Sequence, residues 1–337
     1  MDKLNCMVDL HLHLDGAISV ESAKDLAALQ GIAIPESEEE IVKKLRVSED
    51  CRNLNEFLEK FDFPCSLLQT HEGVRRATSN LLNELKAQGV MYAELRFAPQ
   101  LCTNQGMTQD EVVQAAIEGL NDVDGIIAQL ILCCMRGEGN DEANFENIDV
   151  AAKYLGKGVC AADLAGAEAL FTTDKYADLF AYAREKGVPF TLHAGEADGP
   201  ESVREAIGYG ASRIGHGVRS IEDPELVKLL AEKKIPLEIC PNSNVCTVTY
   251  PNIEAVPVRQ LMEAGVIITI NTDDPSVVGT DINKEFNDSI KAYNLTKDEV
   301  KQLLINSVNS AFADEAIKAK LLGKIDNELK TKELKIN

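Results

Sequence analysis

The sequence predicts an α/β protein folded as a (β/α)8 TIM barrel, and three observations carry this prediction. Short apolar runs alternate with amphipathic segments eight times along the 337 residues, a pattern typical of parallel strands and their crossover helices. Several runs are almost continuously hydrophobic, as expected for strands that are buried on both faces. Ionisable residues also recur at the carboxyl ends of the runs, which is where barrel enzymes build their active sites.

The predicted strands follow one another along a single domain that spans residues 1–337. They are residues 7–15, 91–98, 126–135, 158–165, 189–194, 213–218, 236–240 and 267–273. Helix-start signals lie between them: two capping boxes, Thr108 with Glu111 and Thr296 with Glu299, and an N-cap at Asp223 before Pro224. The stretch at residues 17–88 is too long for one crossover helix, so we expect a helical insertion there that covers the barrel mouth as a lid.

Composition limits the partners. The chain carries 34 Lys and Arg against 55 Asp and Glu, a formal net charge of −21, which disfavours nucleic acid and anionic lipid. We expect no membrane span, because no apolar run approaches about 18 residues. The amino-terminal segment lacks signal-peptide features, which predicts a cytoplasmic protein. Nine scattered cysteines without CxxC spacing predict reduced, mostly buried thiols.

Four residues on three predicted strands have the composition of a metal site. His11 and His13 are two residues apart on the first strand and therefore point to one face. His193 ends the fifth strand and Asp273 ends the eighth, so barrel closure would bring all four together. Three imidazoles and a carboxylate bind zinc and leave a position for water. Binuclear barrel hydrolases often use a lysine at the end of the fourth strand to bridge two metals. The fourth run here ends in VCAADLAG and has no lysine, so we expect one metal ion per chain. Zn²⁺ suits the three nitrogens and one oxygen, with iron, cobalt and nickel as alternatives.

Three further residues have candidate roles around a metal-activated water, whose pKa zinc can lower to about 7. Glu196, three residues after His193, is the candidate general acid, with a solvated loop glutamate as the alternative. His216, between two glycines, is the candidate to orient or deprotonate the water, although it could be purely structural. Asp274 should point away from Asp273 and toward a substrate nitrogen; a simple helix cap is the alternative.

Eight segments together carry a family resemblance. They are HLHLDGAI, FLEKFDFP, YAELRFAPQL, ADLAGAE, TLHAGE, RIGHG, EICPNSN and TINTDDPS. Over nearly its full length the chain resembles the adenosine deaminases, which are mononuclear amidohydrolases. The resemblance implies zinc bound by His11, His13, His193 and Asp273, and attack of hydroxide on purine C6. It also implies that Glu196 protonates N1, that His216 assists the hydroxide and that Asp274 hydrogen-bonds N7.

The resemblance further implies how the substrate binds. Gly166 would donate its N–H to N3, Asp15 would reach the ribose 5′-hydroxyl, and apolar side chains would cover the nucleoside. The implied substrate-contacting set is His13, Asp15, Phe57, Leu58, Phe61, Gly166 and Asp274. Many family members have an acid where this chain has Ala167, so the side-chain hydrogen bonds of the DLAGAE loop differ here.

The expected reaction is conversion of adenosine and 2′-deoxyadenosine to the inosine nucleosides plus ammonia, in purine salvage. The expected partners are a small purine nucleoside and water, and the expected state is a monomer or weak homo-oligomer. Three alternatives remain open: a deaminase of adenine or of N6-modified AMP, a metal hydrolase for an unrelated amide or ester, and a catalytically silent metal- or ligand-binding barrel. HLHLDG and DLAG favour the nucleoside.

Overall fold

The computed structural model describes residues 3–48 and 50–331, and its centre is a closed barrel of eight parallel strands. The strands are β1 (Met7–His13), β2 (Val90–Phe97), β3 (Ile127–Met135), β4 (Val159–Ala165), β5 (Thr191–Ala194), β6 (Arg213–His216), β7 (Leu237–Ile239) and β8 (Ile268–Ile270). Strands β1–β4 and β5–β8 each pair in sequence order. Bridges from Ala162 to Phe190 and from Leu12 to Asp273 join the two halves. The predicted (β/α)8 fold is confirmed.

Helices surround the barrel, which explains why β1, β2 and β4 are buried along their whole length. They are α1 (Val20–Gln30), α2 (Glu38–Leu45), α3 (Leu54–Leu58), α4 (Asp62–Ser66), α5 (His71–Gln88), α6 (Gln109–Asn121), α7 (Asp141–Tyr154), α8 (Ala177–Glu185), α9 (Pro200–Tyr209), α10 (Pro224–Lys233), α11 (Pro241–Cys246), α12 (Val258–Glu263), α13 (Pro275–Val278), α14 (Ile282–Ala292), α15 (Lys297–Ser310) and α16 (Glu315–Thr331). Within residues 3–48 and 50–331, every helix is too short or too polar to span a bilayer.

The predicted helix starts are present. Both capping boxes form, at the first residues of α6 and α15, and Asp223 caps α10 by accepting from the N–H groups of Glu225 and Leu226. These caps satisfy N–H groups that the first helical turn leaves without partners. The helix starts are therefore fixed by local chemistry that is readable in the sequence.

Strands β6 and β8 end two and three residues earlier than predicted, near positions that carry candidate site residues. His216, the last residue of β6, has φ +59, and Asp273, three residues after β8, has φ +62. Both values lie in the left-handed region, which non-glycine residues adopt rarely and which often marks functional sites. The left-handed turns end the strand geometry and direct these side chains into the barrel mouth.

Helices α1–α5 lie between β1 and β2, in the segment for which the sequence predicts an insertion. The long helix α5 packs along α6 in the outer layer. Helices α3 and α4, with the 3-10 turn Glu59–Phe61 between them, contribute side chains to the cavity at the barrel mouth. That residues 17–88 act as a lid stays a prediction.

Candidate active site

Four buried side chains converge at the carboxyl end of the barrel: His11, His13, His193 and Asp273. His193 Nε2 lies 3.1 Å from His11 Nε2 and 3.2 Å from His13 Nε2. Asp273 Oδ1 lies 3.1 Å and 3.4 Å from the same two atoms. The structure thus brings together all four of the candidate metal ligands from β1, β5 and the segment after β8.

The outer nitrogens of two of these imidazoles face carboxylates. His11 Nδ1 lies 2.8 Å from Glu238 Oε2, and His193 Nδ1 lies 2.9 Å from Asp163 Oδ2. A carboxylate at Nδ1 favours the proton on that nitrogen, so the lone pair of Nε2 faces the cluster. Glu238 and Asp163 therefore orient His11 and His193 as a candidate metal ligand needs to be oriented.

Glu196 is buried beside this cluster, in the loop after β5. Burial, and then the negative charge of Asp273, raise the pKa of Glu196 to about 8. The Thr247 hydroxyl and the Asn244 amide donate to Oε1 at 3.1 and 3.3 Å, whereas Oε2 lies 3.6 Å from His216 Nε2. Because two donors occupy Oε1, Oε2 is the oxygen that can carry a proton into the cavity.

His216 lies between Glu196 and the four-residue cluster. Its Nε2 is 3.7 Å from Asp273 Oδ2, and its Nδ1 is 3.1 Å from the Asn244 amide nitrogen. Burial lowers the pKa of His216 well below the usual value, so the ring is neutral at pH 7. A neutral imidazole held at this place can orient a water molecule without adding a second positive charge.

Asp274 and Asp15 face the cavity from the segments that follow β8 and β1. The Oδ1 atom of Asp274 is buried and has no hydrogen-bond partner within the structure. Burial, and then the charge of Asp273, raise the pKa of Asp274 well above its usual range. A Cβ on Gly16 would lie 1.8 Å from Asp274 Oδ1, so only glycine fits after Asp15. Asp273 and Asp274 therefore face different groups, as the sequence predicts for adjacent residues.

One cavity of about 680 Å³, a volume typical of small-molecule sites, is lined by the candidate residues His13, Asp15, His193, Glu196, His216, Asp273 and Asp274. Phe57, Leu58 and Phe61 close one side, and Gly166 (φ +109) lies on another. The single lysine or arginine among the described lining residues is Arg136. Its Nη1 and Nη2 groups donate to the carbonyls of Phe171 and His193 and to the Thr173 hydroxyl, and its Nε is buried without a partner.

Comparisons with known proteins agree with this geometry. The family model described as adenosine deaminase matches residues 6–328. An adenosine deaminase from Haemophilus ducreyi is 45% identical over 327 residues, which cover 95% of each chain.

The chain belongs to the adenosine deaminase family.

Solved structures of deaminases have the same architecture. The adenine deaminase from Arthrobacter aurescens superposes with a TM-score of 0.88 at 28% identity, over 96% of this chain and 99% of its own. The N6-methyl-AMP deaminase from Arabidopsis thaliana superposes with a TM-score of 0.83 at 25% identity, over 96% and 97%. Deaminases of a base and of a nucleotide thus share this fold with the adenosine deaminase family, so substrate choice depends on individual side chains.

The sequence interpretation missed a buried ion network beneath the cluster of His11, His13, His193 and Asp273. Glu238 contacts Arg96 Nη2 at 2.8 Å and Arg213 Nε at 2.5 Å, and Arg96 also reaches Asp163 at 3.0 Å. Arg213 continues the network to Glu94. These five residues lie inside the barrel with 1% exposure or less. Single charged residues within apolar runs were the available signal, because a charge in a fully buried strand must have partners.

A second group of missed residues comes from α11 and the residue that follows it. Ser243 donates to Asp273 Oδ2 at 2.6 Å, while Asn244 and Thr247 donate to Glu196. The segment EICPNSN contains two of them, so the signal was present in the resemblance without an assigned role. This helix therefore fixes both a candidate ligand and the candidate acid.

Replacing Glu238 with glutamine should destabilise the protein, because its carboxylate contacts two buried arginines and His11 at once. Removing one partner of a buried ion pair costs about 3–5 kcal/mol. We expect a loss of that size in the free energy of unfolding in a denaturant titration, and roughly 10- to 100-fold weaker metal binding through His11. The matched control is Glu222→Gln, which alters an exposed pair with Arg219 worth about 0–1 kcal/mol. A Glu238→Gln protein within about 1 kcal/mol of the control would contradict the assignment.

Proposed function

We propose that this protein catalyses the hydrolytic deamination of adenosine and 2′-deoxyadenosine, with release of ammonia. The observation that carries the proposal is the convergence, at one cavity, of four candidate metal donors with Glu196, whose buried carboxyl has a pKa raised to about 8. Membership of the adenosine deaminase family supports the reaction type. The expected site residues supply a proton, a water-orienting group and a donor for the base.

We infer that His11, His13, His193 and Asp273 bind one zinc ion. Donor atoms that share one zinc ion at bonds of about 2.0–2.2 Å lie within about 4 Å of one another. The four separations given above, from 3.1 to 3.4 Å, meet this condition, so the residues present would fit the ion. When bound, zinc supplies a nucleophile at neutral pH by lowering the pKa of its water. Two imidazoles held by carboxylates favour zinc over harder ions, which prefer oxygen ligands.

The protein's own residues move the protons and hold the base. Glu196 gives the proton on Oε2 to N1 of the purine, which makes C6 more electrophilic. His216 orients the attacking water from its place between Glu196 and Asp273. Asp274 uses its unpartnered Oδ1, when protonated, to donate to N7, which is an acceptor. Gly166 presents its backbone N–H to N3.

The cavity favours a nucleoside over a nucleotide. Asp15 has two weak partners, the Gly16 N–H at 3.2 Å and the Cys65 thiol at 3.7 Å, so it can accept from a ribose 5′-hydroxyl. A 5′-phosphate would meet this carboxylate, and the one lysine or arginine among the described lining residues, Arg136, donates both Nη groups to protein oxygens and has its Nε buried. Free adenine would leave Asp15 buried without a polar partner from the ligand.

The test is a panel of adenosine, 2′-deoxyadenosine, adenine and AMP, each incubated with metal-quantified protein while the purine absorbance is followed. We expect conversion of both nucleosides and at least about tenfold lower kcat/KM for adenine and AMP, from the loss of one or more polar contacts. A chelator should abolish turnover and zinc should restore it. Turnover of adenine or AMP alone would replace the substrate assignment; metal binding with no turnover of any compound would favour a silent barrel.

Location and assembly follow from the sequence as predictions. We expect a cytoplasmic protein that acts as a monomer or weak homo-oligomer. In gel filtration over a hundredfold range of concentration, a monomer would elute at the mass of one chain throughout, and a weak oligomer would shift toward that volume on dilution; a multiple of that mass that does not change on dilution would contradict the expectation.

A further inference from the structure

Glu168, two residues after Gly166, has a set of contacts that the proposed chemistry does not use. Its side chain is 1% exposed and accepts five hydrogen bonds. Oε2 accepts from the backbone N–H groups of Glu196, Ala197 and Asp198 at 3.0, 2.8 and 3.0 Å. Oε1 accepts from the N–H of Gly195 at 2.7 Å and from the Ser202 hydroxyl at 2.6 Å. One carboxylate thus binds four consecutive backbone amides, including that of Glu196 itself.

The loop after β5 can bind this carboxylate because of Gly195. Four successive N–H groups that point at one anion form a backbone concavity. Gly195 has φ +69, and a Cβ there would lie 2.5 Å from Val203 Cγ2, so a side chain would prevent the turn. The loop geometry and the carboxylate therefore depend on each other.

A buried arginine balances the charge. Arg136 donates to the Thr173 hydroxyl at 3.0 Å, and Thr173 contacts Ser202 at 2.6 Å, which in turn donates to Glu168. The same guanidinium donates to the carbonyl of His193 at 2.7 Å. His193 is thus held independently, by Arg136, by Asp163 and by strand pairing in β5. Arg219 also holds the loop, because its backbone N–H donates to Gly195 O at 2.9 Å and its Nη1 donates to Ala197 O at 3.2 Å. Loss of the Glu168 contacts would therefore loosen residues 195–198 while leaving His193 in place.

We propose that Glu168 is a positioning residue for the deamination: its carboxylate anchors the backbone of residues 195–198 and so holds Glu196 against the substrate. This inference rests on the proposed function, because it assigns Glu168 a purpose only if Glu196 is the proton donor. A displacement of about 1 Å at a reacting group can lower the rate about 100-fold. Thr247 and Asn244 still donate to Oε1 of Glu196 when the backbone contacts are lost. The decrease in kcat should therefore be smaller than that caused by removing the Glu196 carboxyl itself.

The test compares Glu168→Gln, Ser202→Ala and the wild type, with Glu201→Gln as the control. Glu201 is exposed in the first turn of α9, and replacing it with glutamine makes the same change of charge and shape as Glu168→Gln at a surface position. For Glu168→Gln we expect kcat for adenosine to fall about 10- to 100-fold, with KM within about threefold and metal content unchanged. Ser202→Ala removes one of the five donors and should give a smaller loss of kcat with the same unchanged KM.

Hydrogen exchange gives a second readout that needs no turnover. In Glu168→Gln the amides of residues 195–198 should exchange faster, while those of the barrel strands keep the wild-type rate. If Glu168→Gln does not fold, Ser202→Ala provides the test: it should show faster exchange of the amides of residues 195–198 and a lower kcat.

An unchanged kcat in Glu168→Gln would overturn the inference, and so would an unchanged kcat in Ser202→Ala if Glu168→Gln is insoluble. It would also be overturned by a loss of kcat that is accompanied by a loss of metal, or by unchanged hydrogen exchange at residues 195–198. A wild type that binds metal but does not convert nucleosides would reject the proposed function instead. The exchange comparison would still show whether Glu168 anchors the loop.

Discussion

Replacing Glu196 with glutamine is expected to lower kcat for adenosine by about 10²- to 10⁴-fold, the range for loss of a general acid. Glutamine keeps the length and shape of the side chain, so Thr247 and Asn244 can still donate to its oxygen. It has no proton to give to N1, because an amide N–H is far less acidic than a carboxyl group buried with a pKa of about 8. Steady-state kinetics on metal-loaded protein measures the loss.

The metal content of the Glu196→Gln variant shows whether the loss of kcat comes from the missing proton donor or from loss of zinc. Glu196 is not one of the four donor residues, so the variant should bind as much zinc as the wild type. Glu201→Gln is the control for the change of charge. A decrease of less than about tenfold would reject Glu196 as the general acid, and an equal loss of metal and activity would place it in the ligand set instead.

The barrel architecture was predictable because apolar runs and amphipathic segments mark strands and helices locally, and eight such pairs in a row are typical of a closed (β/α)8 barrel. Two-residue spacing put His11 and His13 on one face of β1, and caps such as that at Asp223 fixed helix starts. Strand ends were less predictable. The sequences RIGHG and TINTDDPS do not show that His216 and Asp273 adopt left-handed backbone, since that conformation depends on tertiary contacts around the barrel mouth.

The supporting residues of the site could not be predicted for a different reason. Glu238 and Asp163 lie in apolar runs, and their ion-pair partners are from 25 positions away (Arg213 to Glu238) to 227 positions away (His11 to Glu238) in the chain. No spacing rule links them to His11 or His193, because strand order and register bring them together. Glu168 is adjacent to the DLAG stretch, yet its role depends on four amides that are 27 to 30 residues later.

The adjacent aspartates should separate metal binding from turnover. Asp273→Ala removes one of four donor atoms, together with the carboxylate that accepts from Ser243 at 2.6 Å. We expect activity below detection and weakened zinc binding, measured by competition with a chromophoric chelator. Alanine is strained at φ +62, so Asp273→Asn is the second variant, because asparagine tolerates the left-handed region. Loss of metal in both variants would assign the effect to the carboxylate and not to the backbone.

Asp274→Ala should behave differently, because its side chain faces Gly16 and the cavity and lies outside the donor set. Losing one preorganised hydrogen-bond donor lowers kcat by about 10²- to 10³-fold. Zinc affinity should stay within about threefold of the wild type, because the protonated Asp274 carboxyl is neutral and is not one of the four donor residues, so its loss leaves the charge and the ligand set at the metal unchanged. Equal metal loss in the Asp273 and Asp274 variants would contradict this division. The opposite order, with metal lost only in Asp274→Ala, would mean that the ligand and the substrate contact are exchanged.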